Sequence, residues 1–155
     1  MSRNAYIALA VLGSVALLVG AFAFQHLGGL APCKLCLWQR WPHVAAAFIG
    51  LFALALGQWP HRRVLPSLGI LAVLTGAGIA AYHTGVERGW WEGPTSCSGG
   101  GISAGSGADL LSLDGPLGVV MCDEVAWQMA GLSMASWNML ASLALAVLWA
   151  MAARR

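Results

Sequence analysis

The chain predicts an all-α membrane protein: a bundle of four transmembrane helices with two loops on one face, the second loop long. Three observations carry this. Hydrophobic residues make up 59% of the 155 residues and charged residues 9%, against roughly 45–50% and about 25% in soluble domains. So few charges cannot cover a soluble surface. Apolar stretches of about twenty residues recur four times. The charges are also segregated: all six acids (Glu87, Glu92, Asp109, Asp114, Asp123, Glu124) fall between 87 and 124, whereas Arg3, Arg62, Arg63, Arg154 and Arg155 lie elsewhere.

The first stretch, 5–24, carries no charge. Twenty residues rising ~1.5 Å each span a hydrocarbon core of about 30 Å. The second is expected at about 38–57, with Pro42 marking its start near Trp41 or a kink, since proline prefers a first helical turn. The third is expected at 64–82 and the fourth at 132–153, making residues 1–155 one integral membrane domain. Helices satisfy their own backbone in lipid, and frequent Gly and Ala permit close packing. An even number of crossings puts both termini on one side, and the positive-inside rule puts that side in the cytoplasm. Loops 25–37 and 83–131 are then external, with 110–118 ("LLSLDGPLG") expected as a short interfacial helix. Trp38, Trp41, Trp90, Trp91, Trp127 and Trp137 fall near the outer ends, and Trp59 and Trp149 near the inner ends, as interfacial belts would. Ala21-Phe22-Ala23 resembles a signal-peptide cleavage site, but the preceding run exceeds the usual apolar core of about 7–15 residues. No basic run points to nucleic acid.

The four cysteines divide into two external pairs, Cys33 with Cys36 and Cys97 with Cys122. Outside the cytoplasm such pairs favour disulfide chemistry. Haem attachment fails because Leu37, not His, follows Cys36. A structural zinc site would want a second closely spaced pair, so no metal is expected. Cys97–Cys122 suits a staple closing a long loop, although four cysteines permit three pairings. Cys33–Cys36 suits one poorly: so small a ring removes little chain entropy, and such bonds are strained and reducible. Lys34 and Arg40 nearby favour a thiolate. Cys97 sits in "SCSGGGISAGSG" (96–107), a linker-like composition. Cys122 precedes Asp123 and Glu124 and an apolar run, which predicts a helix start whose dipole favours a thiolate.

Arg40 follows Cys36 by four residues, about one helical turn. A snorkelling interfacial arginine is the plain alternative, yet positive residues are disfavoured on this side. A cation beside a cysteine can stabilise a thiolate and the charge developing on an acceptor, and a membrane-embedded two-electron acceptor is most simply a quinone. His26, His43 and His61 suggest no role, and the four segments are read as holding no intramembrane ionisable residue, which argues against a transporter.

"PCKLCLWQR", "YHTGVERGWWEGPTSC" (82–97) and "CDEVAWQMAGLSMASWN" (122–138) together resemble the DsbB family of disulfide-bond formation proteins, in order and spacing from about residue 5 to 153. The resemblance implies a protein-dithiol:quinone oxidoreductase of the bacterial inner membrane, with periplasmic cysteine loops. It would reoxidise a DsbA-like periplasmic thioredoxin-fold protein and pass two electrons to ubiquinone or menaquinone in the membrane pool. It also implies roles. Cys97 would be attacked by the reduced partner; Cys122 would exchange with Cys33. Cys36 would face the quinone, Arg40 would orient or polarise it, and His83 would lie near it. The Gly/Ser-rich stretch after Cys97 departs from bulkier family loops and bears on partner choice. Two rivals are a branch of the same family serving a dedicated partner, and a four-helix scaffold or transporter with structural disulfides. Epoxide-quinone reductases also carry Cys-x-x-Cys at a bundle end, but not this cysteine order.

Overall fold

The structure, a computed structural model, describes residues 1–57, 63–95, 97 and 121–155. Four helices dominate it: α1 (Arg3–His26), α2 (Lys34–Ala55), α3 (Val64–Glu87) and α4 (Met134–Arg154), with a two-residue hairpin, β1 (Gln128–Met129) and β2 (Leu132–Ser133), just before α4. Each helix packs on two neighbours, α1 on α2, α2 on α3, α3 on α4, and α4 back on α1. The expected segment at 110–118, and Trp59, His61 and Arg62, lie outside the described residues.

The 24 residues of α1 and of α3 correspond to about 36 Å of helix, longer than an apolar core of about 30 Å. α1, α3 and α4 are long and apolar enough to cross a membrane, with mean hydropathies of 2.5, 2.0 and 1.5. α2 is not, because Gln39, Arg40, Pro42 and His43 interrupt its first half. It is enclosed nevertheless, packed between α1 and α3.

Local chemistry sets the helix ends, and these differ from the spans expected from hydropathy. Ser2, Cys33 and Ser133 cap α1, α2 and α4 in extended conformation, each side chain accepting from a backbone N–H of the first turn. Cys33 thereby starts α2 at Lys34, upstream of the expected 38, and the helix runs on through Pro42. Gly76 of α3 leaves room for that ring, since an added Cβ would lie 3.2 Å from Pro42 Cβ. α3 continues past Tyr82 to Glu87 and ends in a Schellman motif: Gly89 N–H bonds Val86 O, Trp90 N–H bonds Gly85 O, and Gly89 takes φ 67°. His83 and Glu87 are therefore helical, not loop residues.

Residues 122–127 form no helix, so the expected helix start at Cys122 is wrong; the chain turns there and enters the hairpin. Ala130 and Gly131 both have positive φ (54° and 76°), the signature of a tight two-residue hairpin turn. It is the cysteine at Cys33 that occupies a helix N-terminus.

Trp149 is also misplaced by a belt reading. It is fully buried (0% exposed) with Ile7, Ala10, Ala46, Val73 and Ala152 in the bundle core. Gly69 of α3 admits its indole, and a Cβ at Gly69 would collide with the ring. Small residues, not apolar area, set how closely these helices approach, as lipid gives helices no hydrophobic reason to associate.

Candidate functional site

At the capped end of α2 the four sulfur atoms converge. Cys97 and Cys122 form a disulfide with Cα atoms 5.3 Å apart. Cys122 N–H bonds Cys97 O (2.6 Å) and Cys97 N–H bonds Pro94 O (2.8 Å), which ties both strands of the loop to this end. Cys33 and Cys36 are free thiols with Sγ atoms 2.7 Å apart, and Cys36 N–H donates to Cys33 Sγ at 3.1 Å. The Sγ atoms of Cys33, Cys97 and Cys122 all lie within 4.8 Å of one another. One thiol of the short pair thus sits within reach of the long pair's disulfide. Leu35 and Val86 pack around the sulfurs, and Cys33, Cys97 and Cys122 are all buried.

Sharing a hydrogen bond with Cys36 holds the Cys33 thiol far above the usual range, and burial adds to this. Two thiolates on one tetrahedral zinc would stand about 3.8 Å apart, so the Cys33–Cys36 pair as it stands is set to join as sulfur to sulfur.

Cys33 and Cys36 form one wall of a cavity of about 400 Å³. α1 gives it an apolar side with Ala16, Leu17, Gly20 and Ala21, and Trp127 and Trp137 flank it. Arg40, Gln39, His43, His83, Glu87 and Asn138 supply its polar groups. An apolar cleft of about 300–1,000 Å³ with a few convergent polar groups is the usual form of a small-molecule site. Arg40 is held by α1: Nη1 donates to Gln25 Oε1 (2.8 Å), and the guanidinium lies 4.8 Å above the Phe22 ring centroid. Its buried Nε has no partner among the described residues. A guanidinium on the wall of an apolar cleft fits a carbonyl-bearing ring such as a quinone. Lys34 lies 5.7 Å over the Trp38 ring on the exposed face.

Behind the cavity runs a chain of polar side chains that composition did not suggest. Cys33 Sγ lies 3.5 Å from His83 Nε2, and His83 Nδ1 lies 2.8 Å from Gln39 Nε2. Asn138 Nδ2 donates to Gln39 Oε1 (2.7 Å), and Asn138 Oδ1 lies 3.0 Å from His43 Nε2. His43, expected to have no role, and Glu87, expected in a solvated loop, are thus buried ionisable groups within the bundle. Such hydrogen bonds between membrane helices average only about 0.6 kcal/mol. The chain therefore positions His83 more than it stabilises the bundle. The available signals were spacings, Gln39 to His43 and His83 to Glu87, each one helical turn.

Among the predicted site residues, the structure brings Cys33, Cys36, Cys97, Cys122 and His83 together, with Arg40 lining the same cavity one turn along α2. The sequence profile described as "Disulfide bond formation protein DsbB" matches residues 3–152. The chain is 32% identical over 147 residues to Disulfide bond formation protein B of Dechloromonas aromatica, covering 88% of this chain and 84% of the relative. It is 31% identical over 155 residues to the protein of that name from Azoarcus sp. (90% and 87%). To the one from Xylella fastidiosa strain Temecula1 it is 34% identical over 146 residues (85% and 79%). No solved structure matches the chain. A paired-cysteine site at the end of an apolar helical bundle is what a membrane protein making disulfides requires, and on a match across nearly its whole length this chain belongs to the DsbB family of disulfide bond formation proteins.

Proposed function

We propose that this protein is a thiol:quinone oxidoreductase of the bacterial inner membrane, which reoxidises a periplasmic thioredoxin-fold dithiol protein of the DsbA kind. All four helices cross the membrane, α2 with its polar first half turned into the bundle, and both termini are cytoplasmic. One observation carries the reading: three sulfurs from both pairs lie within 4.8 Å, and Cys36 of the short pair lines an apolar cavity together with Arg40, one turn along α2.

The chemistry follows as four exchanges and one oxidation. A partner thiolate attacks Cys97 Sγ, breaks the Cys97–Cys122 bond, and releases Cys122 as a thiolate. When Cys33 and Cys36 are joined, Cys122 attacks Cys33 and Cys36 leaves as the thiolate. The partner's second thiol displaces Cys97 and departs with its own disulfide formed, and Cys97 takes back Cys122, which releases Cys33 and leaves the short pair reduced. Exchange needs a thiolate close to the sulfur it attacks, and the approach of Cys33 to Cys97 and Cys122 within 4.8 Å supports this. Bound in the cavity, ubiquinone or menaquinone supplies the two-electron oxidising power. Arg40 holds an acceptor oxygen and stabilises negative charge beside Cys36, and His83 orients the Cys33 side. The apolar wall from α1 excludes water from the thiolate.

Replacing Arg40 by alanine is expected to raise the apparent KM for quinone about tenfold while leaving that for the dithiol partner unchanged, in steady-state assays of each. A hydrogen bond to a charged group is worth about 1.5–3 kcal/mol, of which about 1.4 kcal/mol already gives tenfold. The whole reading is tested by anaerobic mixing of the purified protein, a reduced thioredoxin-fold dithiol protein and a short-chain ubiquinone. Quinone absorbance should fall; no fall with all four cysteines intact overturns it.

A further inference from the structure

Glu87 is a carboxyl group in a place adverse to its ionised form. It ends α3, where the helix dipole opposes negative charge, and its side chain is only 5% exposed. Oε1 lies 3.7 Å from His83 Nε2 and the Ser133 side chain also faces the carboxyl group, while Oε2 is buried with no hydrogen bond of its own among the described residues. Glu87 lines the same cavity as Cys36 and Arg40. A buried acid lacking a full set of partners costs stability, so a structural purpose explains it poorly. A purpose at the cavity explains it better.

The proton on His83 can be located. Gln39 Oε1 accepts from Asn138 Nδ2 (2.7 Å), so its amide nitrogen is the atom facing both Leu35 O (3.3 Å) and His83 Nδ1 (2.8 Å). Nδ1 is then an acceptor, and the ring proton sits on Nε2. Nε2 faces Cys33 Sγ at 3.5 Å and Glu87 Oε1 at 3.7 Å. His83 therefore presents its donor to a corner shared by the thiol, the carboxyl group and the Cys122 backbone carbonyl. The other charged groups at this corner are Arg40 from α2, Glu124 from the segment before β1, and Arg88 following α3.

We propose that Glu87 is the proton donor of the quinone step, with His83 as the positioning residue that aligns it; the inference rests on the thiol:quinone reading. Oxidation of the Cys33–Cys36 dithiol breaks two S–H bonds, forms one S–S bond, and releases two electrons and two protons. The quinone takes all four in becoming a hydroquinone. Cys36 reacts as the thiolate, its own proton having gone to solvent, and the quinone draws one proton from water in exchange. Glu87 gives a second from its carboxyl group and is refilled with the proton Cys33 loses, so it ends each turnover unchanged.

The test is Glu87→Gln, which keeps size and polarity but carries no acid proton. Dithiol-reduced protein is mixed anaerobically with a short-chain ubiquinone, and hydroquinone formation is followed in one turnover. Relative to wild type, the rate should fall about 10²-fold, the low end of general acid–base effects. The quinone concentration giving half-maximal rate should be unchanged, and added formic acid should restore rate in proportion to its concentration. Reduction of the Cys97–Cys122 disulfide by the dithiol partner should match wild type. An unchanged rate, a loss expressed only in quinone affinity, or a loss that formic acid does not relieve overturns the assignment. Wild-type protein that reduces no quinone overturns the parent reading and this one together, whereas active wild type beside an equally active Glu87→Gln overturns this one alone.

Discussion

Cys36→Ser is expected to abolish quinone reduction, by at least about 10³-fold, as loss of a reacting nucleophile does. Cys36 lies in α2, half-buried on the cavity wall, and its sulfur is 2.7 Å from Cys33. A serine hydroxyl fits the space but supplies no thiolate at neutral pH and cannot form the S–S bond. The Cys97–Cys122 disulfide is untouched and still accepts a partner thiolate. Cys122, once released, finds no Cys33–Cys36 bond to attack, and the relay stalls. A mixed disulfide with the partner should therefore accumulate, visible as a high-mass band on a non-reducing gel, while quinone absorbance stays constant.

Cys97→Ser is expected to fail at the opposite end. Partner oxidation should drop to background, at least about 10³-fold, because the Cys97–Cys122 disulfide that receives its thiolate is gone. The short pair is unaffected, so reduced Cys33–Cys36 should still reduce one equivalent of quinone in a single turnover. Losing a cross-link with a sequence separation of 25 releases roughly 3–4 kcal/mol of loop constraint. That loss is local, since the bundle core around Trp149 and Ala10 contains neither cysteine. Partner thiol titration and single-turnover absorbance separate the two functions. Cys36→Ser keeps entry and loses exit; Cys97→Ser does the reverse.

The helices were legible because an apolar run of membrane length has little alternative to being helical. Their ends were not. Hydropathy stops at the first polar residue, whereas a helix stops where its last carbonyls find partners. Gly89 provides these for α3, which carries His83 and Glu87 with it. Cys33 likewise starts α2 early by capping it with sulfur. Asp123 and Glu124 looked like a helix start after Cys122, but the Ala130-Gly131 turn places a hairpin between that loop and α4. Trp149 carries no mark distinguishing a belt tryptophan from a core one; only the space left by Gly69 decides it.

At the site, the residue types were readable and their meeting was not. Four cysteines in two external pairs, and a cation one turn from Cys36, announce redox chemistry by type and spacing. That Cys33 approaches Cys97 and Cys122 depends on contacts between residues more than sixty positions apart. The chain from His83 through Gln39 to Asn138 depends on the packing of α2, α3 and α4. No local pattern encodes either.

The central claim is that the two pairs form one relay, with Cys122 handing electrons to Cys33. Its most direct test is a Cys36→Ser/Cys97→Ser double variant, in which Cys33 and Cys122 are the remaining cysteines, treated with diamide in the membrane and mapped by mass spectrometry of its peptides. Sulfur atoms within 4.8 Å should join, giving a Cys33–Cys122 disulfide in most molecules. Recovery of both as free thiols, in protein whose wild-type form is active, would contradict the relay.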